Sequence, residues 1–275
     1  MIEIISYQEV KGRDKELAKK EFDNLLEKIK KEYRCEVLSV EEDWEEKEGF
    51  YTFIAELKVQ FDTFLDYIKF SVNYAADVDV LEPPKLVLDP KEFGEALAYI
   101  IDFFKRFYKK YNVAFNVETQ DKIEIDIEEY KKGIYDEEDI QSFEEEGLIR
   151  VKSVFEGYGV SEEEVVKRVL LSFKDNIIVN KVITKELERE EPYKDVGFYG
   201  LIGVEVLCRP VDIVEIAYKF IPVVISIESK RIEISCLELQ DIGNELGGAI
   251  FELSHTVVMK DLSNINKYYK NVDNN

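Results

Sequence analysis

The sequence predicts a mixed α+β protein made of two similar repeats. Closely similar segments recur 148 residues apart, GFYTFIAELKV from Gly49 and GFYGLIGVEVL from Gly197. Apolar residues alternate along these segments, as in a strand with one buried face, whereas other stretches show the period of about 3.6 residues typical of helices. Each repeat therefore reads as β-α-β-β-α-β-β-α.

The similarity extends beyond these segments, which indicates an internal duplication. The stretch from Ile2 aligns without gaps on the stretch from Ile149. Farther along, Phe64 to Arg106 aligns on Ile213 to His255, and the offsets range only from 147 to 149. Chance similarity between two α+β stretches is the alternative. We predict a tandem duplication of a ferredoxin-like α/β sandwich, each copy a mostly antiparallel sheet with helices on one face, the two forming a pseudo-dimer. The predicted segments are repeat one at 1–112, a connector at 113–147, repeat two at 148–260 and a polar tail at 261–275.

The first strand of each repeat ends at a glycine, Gly12 or Gly159, and a helix follows it. Asp14 and Ser161 stand just before these helices, and both residue types accept hydrogen bonds from the free N–H groups of a first helical turn. A hairpin of two strands and a short helix come next in each repeat.

The third predicted strand changes phase in repeat two. Tyr51 begins one apolar face in repeat one, and Tyr199 and Leu201 match its start. From Val204 onward the apolar residues fall on the opposite phase, which would turn the core face to solvent. One extra residue coincides with this change, so we predict a β-bulge near Gly200 to Gly203.

The last helix of each repeat carries an apolar stripe and closely spaced small residues. Asp89 caps the helix of repeat one, with Pro90 at its first position. Glycine inside a helix costs about 1 kcal/mol relative to alanine, so close approach of a neighbouring group must offset that cost. Two readings stay open: the two helices contact each other or a second molecule closely, or each packs against its own sheet. The stripes are Phe93, Leu97, Ile100, Ile101 and Phe104, and Ile242, Leu246, Ala249, Ile250 and Leu253; the small residues are Gly94, Ala98, Gly243 and Gly247.

Residues 113–147 read as a structured connector. VAFNV and KIEIDI, separated by ETQD, predict a hairpin, and DEEDIQSFEEEG predicts an acidic helix. The C-terminal stretch NINKYYKNVDNN is polar and is expected to fray.

Composition limits the classes of function. Lys and Arg number 37 against 59 Asp and Glu, a net charge of −22, so we expect no nucleic-acid partner. The 3 widely spaced cysteines fit neither a disulfide framework nor a zinc site. The N terminus resembles no signal peptide and no run is long enough for a membrane span, which predicts a cytoplasmic protein without a membrane partner. Abundant Lys, Glu and Ile with scarce Gln and His resemble the composition of thermophile proteins.

The sequence contains no recognisable catalytic motif. His255, the sole histidine, has no nucleophile motif nearby and is expected to interact with a helix C-terminus. Phosphate-binding loops, dinucleotide-binding glycines and the histidine pair of zinc hydrolases do not occur. Acidic runs at 41–46 and 186–191 lack a calcium-loop pattern, so we predict solvated hairpins rather than metal sites. We therefore assign no catalytic, cofactor-binding or metal-binding residue and expect no cofactor.

Aromatic residues supply further candidates for an interface. Phe50 and Phe198 recur in both repeats on the strand face opposite the apolar one, whereas Tyr51 and Tyr199 are expected to serve folding. Trp44 follows an acidic stretch at a hairpin end, where it either anchors a partner or packs under the hairpin. The full set of predicted interface residues is Phe50, Phe198, Trp44, Gly94, Ala98, Gly243 and Gly247.

Three classes of function remain open on this basis. The lack of catalytic motifs, the duplication and the acidic charge favour a cytoplasmic, non-enzymatic interaction or regulatory protein that binds a basic or mixed protein partner or a second copy of itself. A small-molecule sensor with its ligand between the repeats is the second hypothesis. An enzyme that uses carboxylates, alone or with a divalent ion, is the third.

Overall fold

A computed structural model describes the backbone of residues 1–45, 49–75, 77–117, 125–188 and 190–272, and the side chains of these residues apart from 45 and 261–272. Helices and antiparallel sheets occur on the same chain, which confirms the predicted α+β class. The predicted order β-α-β-β-α-β-β-α is found twice. The first set is β1 (Ile2–Gly12), α1 (Lys15–Glu32), β2 (Arg34–Glu45), β3 (Phe50–Phe61), α2 (Phe64–Tyr74), β4 (Asp77–Glu82), β5 (Lys85–Leu88) and α3 (Pro90–Tyr111).

The connector and the second set follow. The acidic helix is confirmed as α5 (Glu137–Glu145), and a further short helix, α4 (Ile127–Lys132), was not predicted. Residues 113–117 form neither strand nor helix, and the rest of the predicted hairpin lies largely outside the described residues. The last helix continues through much of the segment predicted to fray. The second set is β6 (Ile149–Gly159), α6 (Glu162–Leu171), β7 (Ile178–Glu186), β8 (Phe198–Cys208), α7 (Pro210–Phe220), β9 (Val224–Ile227), β10 (Ile232–Ser235) and α8 (Cys236–Val272).

The strands form two four-stranded sheets with the same kind of order, β2-β3-β1-β4 and β7-β8-β6-β9. Neighbouring strands in both sheets are antiparallel. The first strand of each set therefore lies at the centre of its sheet, and the fourth strand lies at an edge. Strands β5 and β10 form a separate two-stranded sheet.

The predicted helix caps are present. The Asp14 side chain accepts from Leu17 N–H at α1, and Ser161 accepts from Glu164 N–H at α6. Asp89 accepts from two N–H groups at the start of α3, where Pro90 occupies the first turn. Because side-chain acceptors satisfy these N–H groups, the helix starts could be read from the sequence.

The predicted bulge at Gly200 to Gly203 is wrong. Strand β8 pairs with β6 without interruption from Phe198 to Cys208. The bulge lies instead on the neighbouring edge strand β7, at Asn180, and the first sheet has a corresponding shift at Leu38 of β2. Burial alternates along β8 from Phe198 to Val204, and every residue from Val204 to Cys208 is buried. Because the pairing with β6 is uninterrupted, Tyr199 lies on the face opposite Phe198.

The chain divides into two compact units that cut across the predicted repeats at their last helices. The first unit is Met1–Leu86 with Ile234–Asn275, and the second unit is Val87–Glu233. Helix α8 thus belongs with the β1–β4 sheet, and α3 belongs with the β6–β9 sheet. The boundary between the units passes through both β5 and β10.

In the first unit, α8 packs on α2 and on the edge of the sheet. Tyr67 of α2 donates its hydroxyl hydrogen to the carbonyl oxygen of Leu239 at 2.7 Å. The predicted apolar stripe of α8, from Ile242 to Leu253, is buried. Burial and the tyrosine hydrogen bond therefore both tie this helix to residues far earlier in the chain.

Polar side chains of α8 bind the outer edge of β4. Asn244 accepts from Val78 N–H at 2.8 Å and donates to the Val78 carbonyl at 3.2 Å. Gln240 accepts from Val80 N–H at 3.1 Å, and the Cys236 thiol donates to the Val80 carbonyl at 3.3 Å. The edge groups that would otherwise face solvent are thus satisfied by one face of a helix.

In the second unit, α3 packs on α7. The Phe104 ring lies 5.2 Å from the Tyr218 ring between centroids, and the Tyr108 hydroxyl donates to the Tyr218 carbonyl at 2.6 Å. Phe93, Leu97, Ile100 and Phe104 of the predicted stripe are buried, whereas Ile101 is half-buried. The stripe was thus predicted largely correctly.

Candidate functional site

The predicted small-residue contact exists in α8 but not at the matching place in α3. A Cβ atom added to Gly243 would lie 2.0 Å from the Tyr67 hydroxyl oxygen, so only glycine permits this approach of α8 to α2. Gly247 is also buried. A Cβ on Gly94 would meet nothing within 4 Å, and Ala98 is exposed. Gly243 thus serves packing within the first unit, against Tyr67 and Val78 of the other predicted repeat.

The aromatic candidates have three different environments. Phe198 is only 3% exposed, contrary to the prediction that it faces outward, because the strand register places it on the core face. Phe50 is half-buried, with the Arg13 guanidinium carbon 5.3 Å from its ring centroid. Trp44 is 47% exposed and its ring lies 4.3 Å from that of Tyr51. Trp44 therefore packs on the hairpin and still presents nearly half of its surface.

A group of three tyrosines, here called the tyrosine cluster, lies at one end of the second sheet. Tyr158 and Tyr199 are directly paired residues of β6 and β8, on the face opposite the core. Tyr193, from the loop before β8, stacks on Tyr199 with centroids 4.3 Å apart and lies 5.0 Å from Tyr158. Tyr158 is 56% exposed. The cluster is thus a fixed aromatic surface that solvent can reach.

Carboxylates surround the tyrosine cluster. The Tyr199 hydroxyl donates to Glu156 at 2.8 Å, and this hydrogen bond, together with burial, raises the pKa of Tyr199. Glu190 and Glu191 are exposed in the same loop as Tyr193. Where the structure describes side chains, no lysine or arginine lies over any of the three rings. The surface combines electron-rich rings with negative charge, which suits a cation.

The corresponding end of the first sheet already holds cations of its own chain. Arg13 lies over Phe50, and the Lys15 ammonium lies 5.7 Å from the Tyr51 ring centroid. Lys15 also forms an ion pair with Glu42. In the second unit the segment that follows the first strand begins Val160-Ser161-Glu162, without a cation. In the loop that holds Tyr193, Lys194 pairs with Glu191 at 3.5 Å, but it does not lie over a ring of the tyrosine cluster. Among the described side chains, the two sheet ends therefore differ in whether a cation of the chain lies over the aromatic rings.

A cleft of about 320 Å³ lies elsewhere in the second unit, beside α7. Glu215 is 8% exposed and forms ion pairs with both Lys174 and Lys219. Burial acts to raise the pKa of Glu215, but the hydrogen bonds from the two lysines outweigh burial and the pKa lies below its usual value. We call this region the lysine cleft.

The wall of the lysine cleft is aromatic and aliphatic. Phe173 and Phe220 line it, with ring centroids 5.5 Å apart, and Phe155 packs behind both rings. Val117, Leu171, Ile177 and Ile216 also belong to the apolar part. A volume of this size with a few charged groups on an apolar wall is typical of small-molecule sites.

A buried polar network near the connector has a structural explanation. Asn180, the bulged residue of β7, accepts from the N–H groups of Ile134 and Tyr135 and donates to Glu205. Arg150 binds Glu205 at 3.0 Å and forms a two-bond contact with Glu137 of α5. These contacts hold the connector on the second sheet and account for the burial of the group, although Arg150 Nε makes no hydrogen bond among the described residues.

The histidine, the acidic residues and the cysteines form no catalytic or metal-binding site among the described residues. His255 is exposed within α8, which continues to Val272, so the predicted role at a helix C-terminus is wrong. Among the residues with described placement, no three His, Cys, Asp or Glu side chains converge as metal ligands would. The cysteines at 35, 208 and 236 are all free. No helix in the described ranges is both long and apolar enough to cross a membrane.

The tyrosine cluster and the lysine cleft were not predicted from the sequence. Tyr199 was assigned to the core because its neighbours match those of Tyr51, and Tyr193 carried no pattern of its own. Glu215 and Lys219 are four residues apart, a spacing that places them on one helix face. Lys174 comes from a loop, and only the fold brings it to the same carboxylate.

The fold and these sites define a mixed α+β protein with antiparallel sheets, an acidic aromatic surface and a cleft that holds two lysines. The chain belongs to the MJ0538 family, whose model matches residues 3–260. It is 49% identical over 263 residues to the uncharacterized protein MJ0538 of Methanocaldococcus jannaschii, with 94% of this chain and 100% of that relative covered. No solved structure matches the chain. The function is therefore inferred from the sites themselves.

Proposed function

We propose that the protein is a cytoplasmic, non-enzymatic interaction protein whose tyrosine cluster binds a lysine- or arginine-containing segment of a protein partner. The single observation behind this proposal is the exposed stack of Tyr158, Tyr193 and Tyr199 next to the Glu156 carboxylate. Aromatic rings attract a cation by about 0.5–1 kcal/mol each at exposed sites, and neighbouring carboxylates add Coulombic attraction. A lysine or arginine of a basic segment can interact with the rings and with the carboxylates at the same time.

The first unit contains a contact of the same chemistry, although Tyr51 lies on the core-side face of its sheet whereas Tyr199 lies on the face opposite the core of the second sheet. There Arg13 lies over Phe50 and Lys15 lies over Tyr51 while it pairs with Glu42. A cation between rings and carboxylates is therefore a combination that this chain already uses at a sheet end. In the second unit the partner would provide the cations. The net charge of −22 favours a basic partner over a nucleic acid and speeds its approach.

We further propose that the two repeats, 1–112 and 148–260, derive from a duplication of a ferredoxin-like sandwich and form a pseudo-dimer. Both sheets place their strands in the order second, third, first, fourth, and all neighbours are antiparallel. Helices α2 and α7 each have 11 residues, and each is followed by a residue with a positive φ, Ala75 or Ile221. These features support a common origin for the two repeats.

The experiment begins with capture of partners on the tagged full-length protein from a lysate of its own host at low salt. A captured protein is then purified and titrated against the wild type and against the double variant Tyr158→Ser and Tyr193→Ser. We expect binding that weakens with salt and is roughly tenfold weaker in the double variant. Tyr7→Ser is the matched control, because Tyr7 is a tyrosine of the first unit that is 41% exposed.

Two results would contradict the proposal. One is a partner that binds the double variant as tightly as the wild type. The other is a capture that yields no protein whose binding depends on salt. Thermal melting of each variant shows whether a loss of binding reflects the surface or a loss of fold.

A further inference from the structure

The lysine cleft lies where the first helix of the second set ends early. Helix α1 has 18 residues, whereas α6 has 10 and ends at Leu171. The loop that follows α6 provides Phe173, Lys174 and Ile177 to the cleft. A shorter helix therefore leaves room beside α7 that the longer α1 takes up beside α2.

The first unit shows which group packs in the corresponding place. Tyr33, at the end of α1, lies edge-on to Phe61, Phe70 and Tyr74, with centroids 5.5, 5.4 and 6.1 Å away. Helices α2 and α7 are both 11 residues long, and Phe70 and Tyr74 occupy the same positions in α2 as Ile216 and Phe220 in α7.

Phe70 and Tyr74 of α2 have different neighbours from Ile216 and Phe220 of α7. Ile216 and Phe220 line the lysine cleft, where Phe173 packs on Phe220 with ring centroids 5.5 Å apart; the first unit has Tyr33 on the equivalent residues. The apolar wall of the cleft thus matches, by position, a surface that in the first unit holds an aromatic ring of its own chain.

We propose that the lysine cleft binds a small organic anion, with its apolar or aromatic body against Phe173, Ile216 and Phe220 and its negative group against Lys174 and Lys219. The site is independent of the tyrosine cluster and adds ligand binding to the proposed interaction function.

The charges of the cleft favour an anion. Both ammonium groups contact the buried carboxylate of Glu215, and these three side chains together carry one net positive charge. The Lys219 side chain is 30% exposed and that of Lys174 is 58% exposed, so both groups can also be reached from solvent. Because the net charge of the protein is −22, an anion is repelled at long range and binds only where it contacts positive groups directly. The cleft provides two such groups, the ammonium groups of Lys174 and Lys219.

The test is a titration of the full-length, isotope-labelled protein with three probes, followed by amide chemical shifts. The probes are 4-hydroxyphenylacetate, its neutral amide 4-hydroxyphenylacetamide, and acetate. We expect saturable shifts at the amides of residues 172–177 and 215–220 with 4-hydroxyphenylacetate, and affinities at least about tenfold weaker for the other two probes. The comparison separates the contribution of the charge from that of the ring.

Variants locate the binding to the cleft. Lys219→Gln should weaken binding of 4-hydroxyphenylacetate about tenfold. Ile216→Phe, which copies the residue of the first unit, should block the probe. Lys167→Gln is the matched control, because Lys167 pairs with Glu163 on the exposed face of α6 and does not line the cleft. Thermal melting confirms that each variant folds.

The proposal is overturned if the neutral amide binds as tightly as the carboxylate, or if binding is unchanged in folded Lys219→Gln. Absence of saturable shifts at the cleft amides up to millimolar probe concentration also overturns it. Because the readout is local to residues 172–177 and 215–220, the result does not depend on whether the tyrosine cluster binds a partner.

Discussion

At the scale of single residues, Gly197 and Gly94 differ in the space that is available for a side chain. A Cβ atom on Gly197 would lie 1.8 Å from the carbonyl oxygen of Val160, and a backbone atom cannot move aside cheaply. We expect Gly197→Ala to lower the free energy of unfolding by about 1–3 kcal/mol, as other overpacking changes do. Urea unfolding at equilibrium measures the change.

Gly94→Ala is the matched control for this prediction. Gly94 lies in α3 and its added Cβ would meet nothing within 4 Å, so alanine should stabilise the helix by about 0.5–1 kcal/mol. Destabilisation by Gly94→Ala would mean that a second molecule packs on this face of α3, as one of the sequence-based readings held. Stability measured at several protein concentrations would then reveal that association.

For single residues, the sequence predicted some environments correctly and others incorrectly. The cost of glycine inside a helix correctly indicated a close neighbour at Gly243, but not that the neighbour is Tyr67. The burial of Phe198 was missed because the match of GFY to GFY aligned residues by identity, whereas pairing with the central strand decides which way a side chain points. Identity between short segments does not determine register.

At the scale of elements, α8 protects the edge of the first sheet with amide side chains. We expect Asn244→Ala to cost about 1–3 kcal/mol, because Val78 N–H and its carbonyl lose their partners. Hydrogen exchange should show faster exchange at the Val78 amide in this variant. Glu252→Ala, an exposed residue of the same helix, is the control and should leave that amide unchanged.

An unchanged exchange rate at Val78 in Asn244→Ala would count against the edge contact and would leave Asn244 without a role in protecting β4. The Val80 amide, held by Gln240, gives an independent reading of whether the helix stays in place in the variant. Protection retained at Val80 and lost at Val78 is the expected pattern.

The kind and order of the elements were predictable because periodicity and helix caps are local signals. Asp14, Ser161 and Asp89 cap helices as expected. The bulge was placed on the wrong strand because it depends on cross-strand pairing, and Asn180 is selected by contacts with the connector and with Glu205. The tyrosine cluster and the lysine cleft likewise depend on loops, whose positions no periodic pattern encodes.

At the scale of the whole molecule, the second unit is one continuous stretch of chain and the first is not. We expect a fragment of residues 87–233 to unfold cooperatively in urea, because it contains all elements of its unit. A fragment of residues 1–86 lacks α8 and should not fold alone. A peptide of residues 234–272 added to it should restore helical circular dichroism and cooperative unfolding.

Independent folding of fragments cut at the repeat boundaries would contradict this prediction. If residues 1–112 fold alone and residues 87–233 do not, each last helix is held by its own repeat. The sequence could not distinguish these cases, because the stripes of α3 and α8 are both apolar and either would fit either sheet. An apolar stripe identifies the face that a helix buries but not the partner that covers it.

The contacts of α8 also determine when the protein can fold during its synthesis. Gln240 and Asn244 follow their β4 partners by 160 and 166 residues. At roughly 5–20 residues per second, a ribosome makes the β4 edge about 10–30 s before the helix that covers it. During that interval the nascent first unit carries a bare strand edge, and the second unit, complete earlier than α8, is the first part of the chain that can reach its final structure.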